Sequence, residues 1–242
     1  MSASAELSPA PRIGTAGWSI PKQHAAAFPA SDSHLERYAQ RFNAVEINSS
    51  FYRPHRRVTY ERWAATVPEN FAFAVKAPRA ITHEARLIDA ERVLDRFLDE
   101  AGGLGRKLGP LLFQLPPGFA FDLRGTRAFL KLLRARHAGR AVWEPRHATW
   151  FTPRAEDLLA EYRVARVAAD PAVVPAAAEP GGWRGLRYFR LHGAPRIYYS
   201  DYAADEIARY ARRMSLKSWC IFDNTALGAA TANALALARA LA

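Results

Sequence analysis

Residues 71–79 read Phe-Ala-Phe-Ala-Val-Lys-Ala-Pro-Arg, and this stretch decides the fold. Successive side chains of a strand point to opposite faces. Ala72, Ala74 and Lys76 therefore share one face, and Phe71, Phe73 and Val75 share the other. The bulky face suits packing beneath helices, and the small face suits a crowded barrel interior. Lys76 then points inward at the end of its strand. A strand apolar on both faces belongs to a parallel sheet buried on both sides.

The same form recurs along the chain. AVEINSSF (44–51) carries Glu46 and Asn48, and PLLFQLPPG (110–118) carries Gln114. RAVWEPRHATW (140–150) carries Glu144 and Arg146, ARVAADP (165–171) carries Asp170, RYFRLHG (187–193) carries Arg190 and His192, and WCIFDN (219–224) carries Asn224. Helical patterns separate these runs. Ser33 caps a helix with Leu35, Tyr38, Ala39 and Phe42 on one face. Thr59 opens a second helix, which Pro68 closes. Later helices bury Val93, Leu94, Phe97 and Leu98, then Phe129, Leu130 and Leu133, then Leu158, Leu159 and Tyr162. The last two centre on Ile207, Tyr210, Ala211 and Met214, and on the alanine-rich C-terminal segment. With RIGTAGWS (12–19) as the first strand, the alternation predicts an α/β fold: a single (β/α)8 TIM-type barrel over residues 12–242. Residues 171–186 are too rich in Pro and Gly for a full helix, so helix six is expected to be reduced or missing. An open doubly wound sheet is the structural alternative. Residues 1–11 read as a disordered polar tail.

Composition narrows the function classes. Half of the 242 residues are hydrophobic and 12% are aromatic, which excludes an intrinsically disordered chain. The start has no apolar signal-like core, and no apolar run is long enough to span a bilayer. Cys220 is the sole cysteine. That excludes an internal disulfide or thiolate metal cluster, and a cytoplasmic location is expected. Its place in an apolar run suits a small buried hydrophobe. The formal charge of +11 comes almost wholly from dispersed arginine. It reads as a solvated basic surface compatible with an anionic small ligand, and it leaves nucleic-acid binding open.

Strand parity gathers the candidate site at the strands' C-terminal ends, where sites of parallel α/β folds lie. The inward set is Glu46, Glu144 and Asp170 against Lys76, Arg146 and Arg190, with His192, Gln114, Asn48 and Asn224. In the last strand Phe222 and Asn224 share one face and Asp223 takes the other. Structurally, the set is a network of buried ion pairs such as Glu46 with Lys76. Buried charge gives little net stability compared with apolar packing, so the same set points to a functional site. Arg146 and Arg190 suit a bidentate clamp on phosphate or carboxylate. Glu144 and His192 suit proton transfer, and Lys76 suits stabilisation of developing negative charge. Lys76 would form a Schiff base if desolvated; pairing with Glu46 would instead keep it protonated. Glu46, Glu144, Asp170 and His192 match a hard divalent ion in ligand type, but the three cations argue against a metal, and no cofactor is required. Trp18, Phe51, Tyr52, Trp150, Tyr198 and Tyr199 fall near loops where they can stack on a ring, whereas Trp143 reads as core.

The motifs IGTAGWS, YAQRFNAVEINSSFYR, FAFAVKAPRAITH, LGPLLFQLPPGF, WEPRHATWF, RYFRLHG and FDNTALGAATANAL occur in this order along nearly the whole chain. Together they closely resemble the domain of unknown function 72 family, also called YecE-like. The resemblance implies a TIM-barrel-type fold and brings no established reaction. Its motif positions here are Glu46, Asn48, Lys76, Gln114, Glu144, Arg146, Asp170, Arg190, His192 and Asn224. Two departures stand out. Ser19-Ile20 follows Gly17-Trp18 where an aromatic is common. Asp223-Asn224 stands where paired asparagines are frequent, which brings a further carboxylate to the mouth.

The resulting expectation is an enzyme using acid/base chemistry, as a hydrolase, lyase or isomerase, on a small anionic or sugar-phosphate-like substrate. A nucleic-acid-binding or nucleic-acid-processing protein and a non-catalytic ligand-binding barrel are the two alternatives. Substrate, reaction and oligomeric state are not encoded in any motif.

Overall fold

Alternation of small and bulky residues at 72–76 becomes strand β3 (Ala72–Lys76), whose Phe73 and Val75 join the core beneath the helices while Ala74 joins a separate inner cluster. The computed structural model describes residues 10–242. All of the tail expected over residues 1–11 except Ala10 and Pro11 lies outside the described residues. Parallel pairing joins β2 (Ala44–Ile47), β3, β4 (Leu108–Gln114), β5 (Ala141–Glu144) and β6 (Val164–Arg166) in that spatial order. A second parallel set runs β1 (Arg12–Thr15), β10 (Ser218–Phe222), β9 (Arg187–Leu191) and β7 (Ala168–Asp170). The sets meet at two places. Ala16 bridges to Glu46, and the Gly17 N–H donates to the Glu46 carbonyl at 2.8 Å. On the other side, β6 and β7 are separated only by Val167, whose N–H donates to Trp143 O at 2.9 Å.

Helices α1 (His34–Ala39), α2 (Arg57–Thr66), α3 (Glu91–Ala101), α4 (Leu123–Arg136), α5 (Pro153–Glu161), α6 (Ala204–Arg213) and α7 (Ala229–Ala240) alternate with the strands. Their buried residues include Leu35, Tyr60, Phe97, Leu130, Leu159, Ile207 and Leu237, which pack on the outward strand faces. Ser33 caps α1, its hydroxyl accepting the Glu36 N–H at 3.1 Å. Helix α2 starts at Arg57, two residues before the expected Thr59. Among the described residues no α-helix lies between β7 and β9. That Pro- and Gly-rich stretch instead makes a 3-10 turn at Pro175–Ala178 and strand β8 (Gly181–Gly182), antiparallel to β6. The Glu156 carboxylate fastens it by accepting from Arg166 and the Gly182 N–H.

The inner cluster holds Ala44, Ala74, Leu112, Val142, Ala165, Val167, Tyr188, Trp219 and Ile221. Tyr188 and Trp219 stack there with ring centroids 6.0 Å apart and planes 12° apart. Small residues are required where backbones converge: a Cβ on Gly14 would overlap the Ala44 carbonyl oxygen. Trp143 faces outward as expected, stacked on Phe113 in the outer core, and Cys220 is buried there too. No helix among the described residues is long and apolar enough to cross a membrane.

Candidate functional site

One turn above the inner apolar layer, at the C-terminal strand ends, side chains of the same parity become charged. Glu46 continues from Ala44, Lys76 from Ala74, Gln114 from Leu112, Glu144 from Val142, Arg190 from Tyr188, and Asp223 from Trp219 and Ile221. Arg190 is their hub and is 0% exposed. Its Nε donates to both Glu46 oxygens at 3.1 and 3.0 Å, and Nη2 donates to Glu46 Oε1 at 2.7 Å. Nη1 reaches Glu144 Oε2 at 3.0 Å, and Nη2 also lies 3.1 Å from Asp223 Oδ2. Tyr188 adds a hydroxyl donor to Glu46 Oε2 at 2.8 Å. Burial opposes the charge on Arg190, but Glu46, Asp223 and Glu144 hold its pKa well above the usual value.

Glu144 is enclosed by donors. Arg146 reaches its Oε1 from Nε at 3.1 Å and Nη2 at 2.7 Å, and Gln114 Nε2 lies 3.1 and 3.2 Å from its two oxygens. Burial works to raise its pKa, yet Arg146, Arg190 and His192 hold it well below the ordinary carboxylate range. His192 is buried with Nδ1 3.0 Å from Asp223 Oδ2 and Nε2 3.1 Å from Glu144 Oε1 and 3.2 Å from Arg146 Nη2. A neutral ring can donate to Asp223 and accept from Arg146, while a doubly protonated ring donates to both carboxylates. Burial likewise opposes the Asp223 charge, but Arg190 and His192 lower its pKa.

Two expected members are not in this cluster. Asp170 follows the parity of Ala168, which packs in the outer core, whereas Val167 packs inside. The backbone of Asp170 serves the site instead, its carbonyl accepting the His192 N–H at 2.7 Å. Asn224 follows Phe222 outward, and its amide donates to Ser200 O at 2.8 Å and Asn233 Oδ1 at 2.9 Å. It ties the loop after β9 to helix α7. Asp223, on the opposite face, takes the inward place assigned from sequence to Asn224. The third carboxylate of the cluster is therefore Asp223 rather than Asp170, so the balance of three carboxylates against Lys76, Arg146 and Arg190 persists with one member exchanged. Tyr188, which the sequence reading passed over, lies two residues before Arg190 on the same face.

The roles available to the cations also change. Every Arg190 nitrogen is engaged by a carboxylate, and its complete burial leaves no edge for a ligand, so it cannot clamp an anion as expected. Arg146 is 21% exposed along its side chain but is committed to Glu144. Lys76 differs from both. It is 5% exposed, and among the described residues its Nζ has neither a hydrogen-bond acceptor nor an ion-pair partner; the Phe51 ring lies 4.0 Å below it. The expected pair with Glu46 does not form, because Arg190 and Tyr188 occupy that carboxylate. Desolvation first, and repulsion from Arg190 second, push the Lys76 pKa down to about 8 against the pull of Glu144, Glu46 and Asp223.

Lys76 lines a cavity of about 420 Å³ together with Asn48, Gln114 and Asp223 from the strand ends and Arg79, His83, Tyr198 and Thr225 from the loops. Among the described residues the buried Asn48 Oδ1 has no hydrogen-bond partner. Arg79 is half exposed and pairs with Glu84 at 3.0 Å. Burial, then Lys76, Arg79 and Arg146, lower the His83 pKa. The cavity shares Phe51, Tyr52 and Arg79 with an open cleft of about 640 Å³ that also presents Arg53, Arg92 and Arg96. Among the described residues, no group of three His, Cys, Asp or Glu side chains is placed to hold a metal ion.

These features define an α/β protein of parallel strands with a locked ionic cluster under a cationic strand-end cavity. The chain belongs to the DUF72 family: the model described as "Protein of unknown function DUF72" matches residues 12–242. Two curated relatives are similar to part of the chain. The UPF0759 protein YecE of Escherichia coli K12 is 32% identical over 107 residues, 44% of this chain and 38% of that protein. The UPF0759 protein YunF of Bacillus subtilis 168 is 30% identical over 151 residues, 58% of this chain and 52% of that protein. The matches thus span about half or less of these relatives' length. A crystal structure of a DUF72 family protein from Enterococcus faecalis V583 superposes with a TM-score of 0.79 at 24% identity, covering 95% of this chain and 94% of that one. One from Thermotoga maritima MSB8 gives 0.73 at 22% identity, covering 95% and 98%. At such identities the likeness shows the fold alone.

Proposed function

We propose that the protein is an enzyme acting by acid/base chemistry on a small anionic molecule bound in the strand-end cavity. The observation that carries this reading is Lys76, a nearly buried cation on the wall of a polar cavity with no ion-pair partner among the described residues. A ligand anion supplies the counter-charge that the fold withholds. Arg79 at the rim adds a planar donor. Lys76 can also exchange protons near neutral pH, since an amine titrating near 8 exists in both forms there. Asp223, held by Arg190 and His192, orients the bound molecule, and the Glu46–Arg190–Glu144 lattice fixes the positions of these groups.

The same reading takes residues 12–242 as one domain in which the two parallel sets form a single (β/α)8-type barrel. The Ala16–Glu46 bridge and the nearly unbroken run through β6 and β7 support closure at the two seams. A cytoplasmic location is part of the reading, supported by a lone, buried cysteine.

Calorimetric titration with inorganic phosphate, citrate and a panel of small sugar phosphates tests it. The expected outcome is binding that weakens about tenfold or more in Lys76→Met, the loss of one charge-assisted contact. Equal affinity in wild type and variant would overturn it.

A further inference from the structure

Two of the chain's five lysines are buried, and they are treated in opposite ways. Lys107 donates to the carbonyl oxygens of Ala64 at 2.7 Å and Val67 at 2.6 Å, so its ammonium is satisfied. Lys76 has no such acceptor among the described residues, stands over an aromatic ring, and lines the cavity. Lys22, Lys131 and Lys217 are exposed. A buried ammonium without acceptors is unfavourable, whereas a neutral amine in the same place is not. The site therefore raises the share of Lys76 in the form that has a lone pair, and Lys76 borders a space large enough for a small molecule.

We propose that Lys76 is a nucleophilic amine that forms a Schiff base with a small aldehyde or ketone bearing a phosphate or carboxylate group. This rests on the reading of the cavity as an anion site and adds a covalent step to it. The neutral Nζ attacks the carbonyl carbon, a C–N bond forms, and the C=O π pair moves to oxygen. That oxygen takes up the proton released from nitrogen, giving a carbinolamine. The nitrogen lone pair then expels the oxygen, which leaves as water with a second proton, and a C=N bond remains. The sum is amine plus carbonyl to imine plus water, with no oxidant or reductant. Arg79 and His83 line the same cavity, where they can meet the anionic group.

Pyridoxal 5′-phosphate, an aldehyde carrying a phosphate, is a direct probe. The full chain is incubated with it near pH 7, reduced with borohydride, and digested for peptide mass mapping of all five lysines. In parallel, non-covalent binding of inorganic phosphate is measured. At pH 7 an amine titrating near 8 is neutral about three hundred times more often than one near 10.5; its lower intrinsic nucleophilicity offsets part of this. The expected result is a reduced adduct on Lys76 formed at least about tenfold faster than on Lys22, Lys131 or Lys217, slowed by inorganic phosphate. Lys76→Arg, which keeps the charge, should bind phosphate and show no fast adduct. If phosphate binds but Lys76 reacts no faster than the exposed lysines, the Schiff-base assignment is overturned and the anion site stands. If Lys76 is slow and phosphate does not bind, both fall.

Discussion

Replacing Arg190 with methionine removes the hub of the ionic cluster while filling most of its volume. The guanidinium satisfies three carboxylates: Glu46 through a bidentate pair at 2.7–3.1 Å, Glu144 at 3.0 Å and Asp223 at 3.1 Å. Glu144 keeps Arg146, Gln114 and His192, and Asp223 keeps His192. Glu46 keeps only the Tyr188 hydroxyl. The loss is therefore close to that of leaving one buried carboxylate uncompensated, about 3–5 kcal/mol. In a chain of this length that corresponds to roughly 6–20 °C in Tm. Urea unfolding at several pH values is the assay, and the sign of the pH dependence is diagnostic. In the wild type Glu144 and Asp223 have lowered folded pKa values. Their stabilisation is present above the unfolded carboxylate pKa and is lost only as pH falls through the lower folded values. In Arg190→Met the three carboxylates lose that cation, which favours their protonated forms, so the deficit should be full at pH 7 and shrink toward pH 5. A deficit below about 1 kcal/mol, or one that does not change with pH, would refute the hub assignment.

Lys76→Met should stabilise the protein by about 1–3 kcal/mol near neutral pH while weakening anion binding about tenfold or more, because it replaces an unpaired buried ammonium by an apolar chain. Here the folded pKa of about 8 lies below the unfolded 10.5. The wild-type penalty is thus full below pH 8 and fades as pH rises toward 10.5, so parallel chemical denaturation should show the two proteins converging over that window. Asp170→Ala should leave phosphate affinity within about twofold of wild type, whereas Asp223→Ala should change it by about tenfold. Equal effects in the titration would contradict the inward assignment of Asp223.

The place of the site was legible in the sequence because polar residues end strands that are otherwise apolar. At β2, β3, β5 and β9 the parity was decided by contrast between the two faces. Ala72 and Ala74 against Phe73 and Val75 show which face meets helices, and Lys76 follows. In β10 that contrast is missing. Trp219, Cys220, Ile221 and Phe222 are all buried, so alternation separates Asp223 from Asn224 but does not say which of them faces inward. Val164, Ala165, Val167 and Ala168 pose the same problem for Asp170. Register supplies the answer: Ile221 lies opposite Arg190 across the β9–β10 pair, which puts Trp219, Ile221 and Asp223 on the inner face. Pairing was equally hidden. A sequence shows three cations and three carboxylates, but only the geometry shows that Arg190 takes all three acids and that Lys76 is the cation left without one.

Titrating the Lys76 amine itself tests this account most directly. With five lysines in the chain, its side-chain resonance can be assigned by comparison with Lys76→Arg and followed by NMR from pH 6 to 11. A midpoint near 8 that rises when inorganic phosphate is added is the predicted result. A midpoint near 10.5, unmoved by phosphate, would show that Lys76 is already paired or solvated and would contradict the central claim.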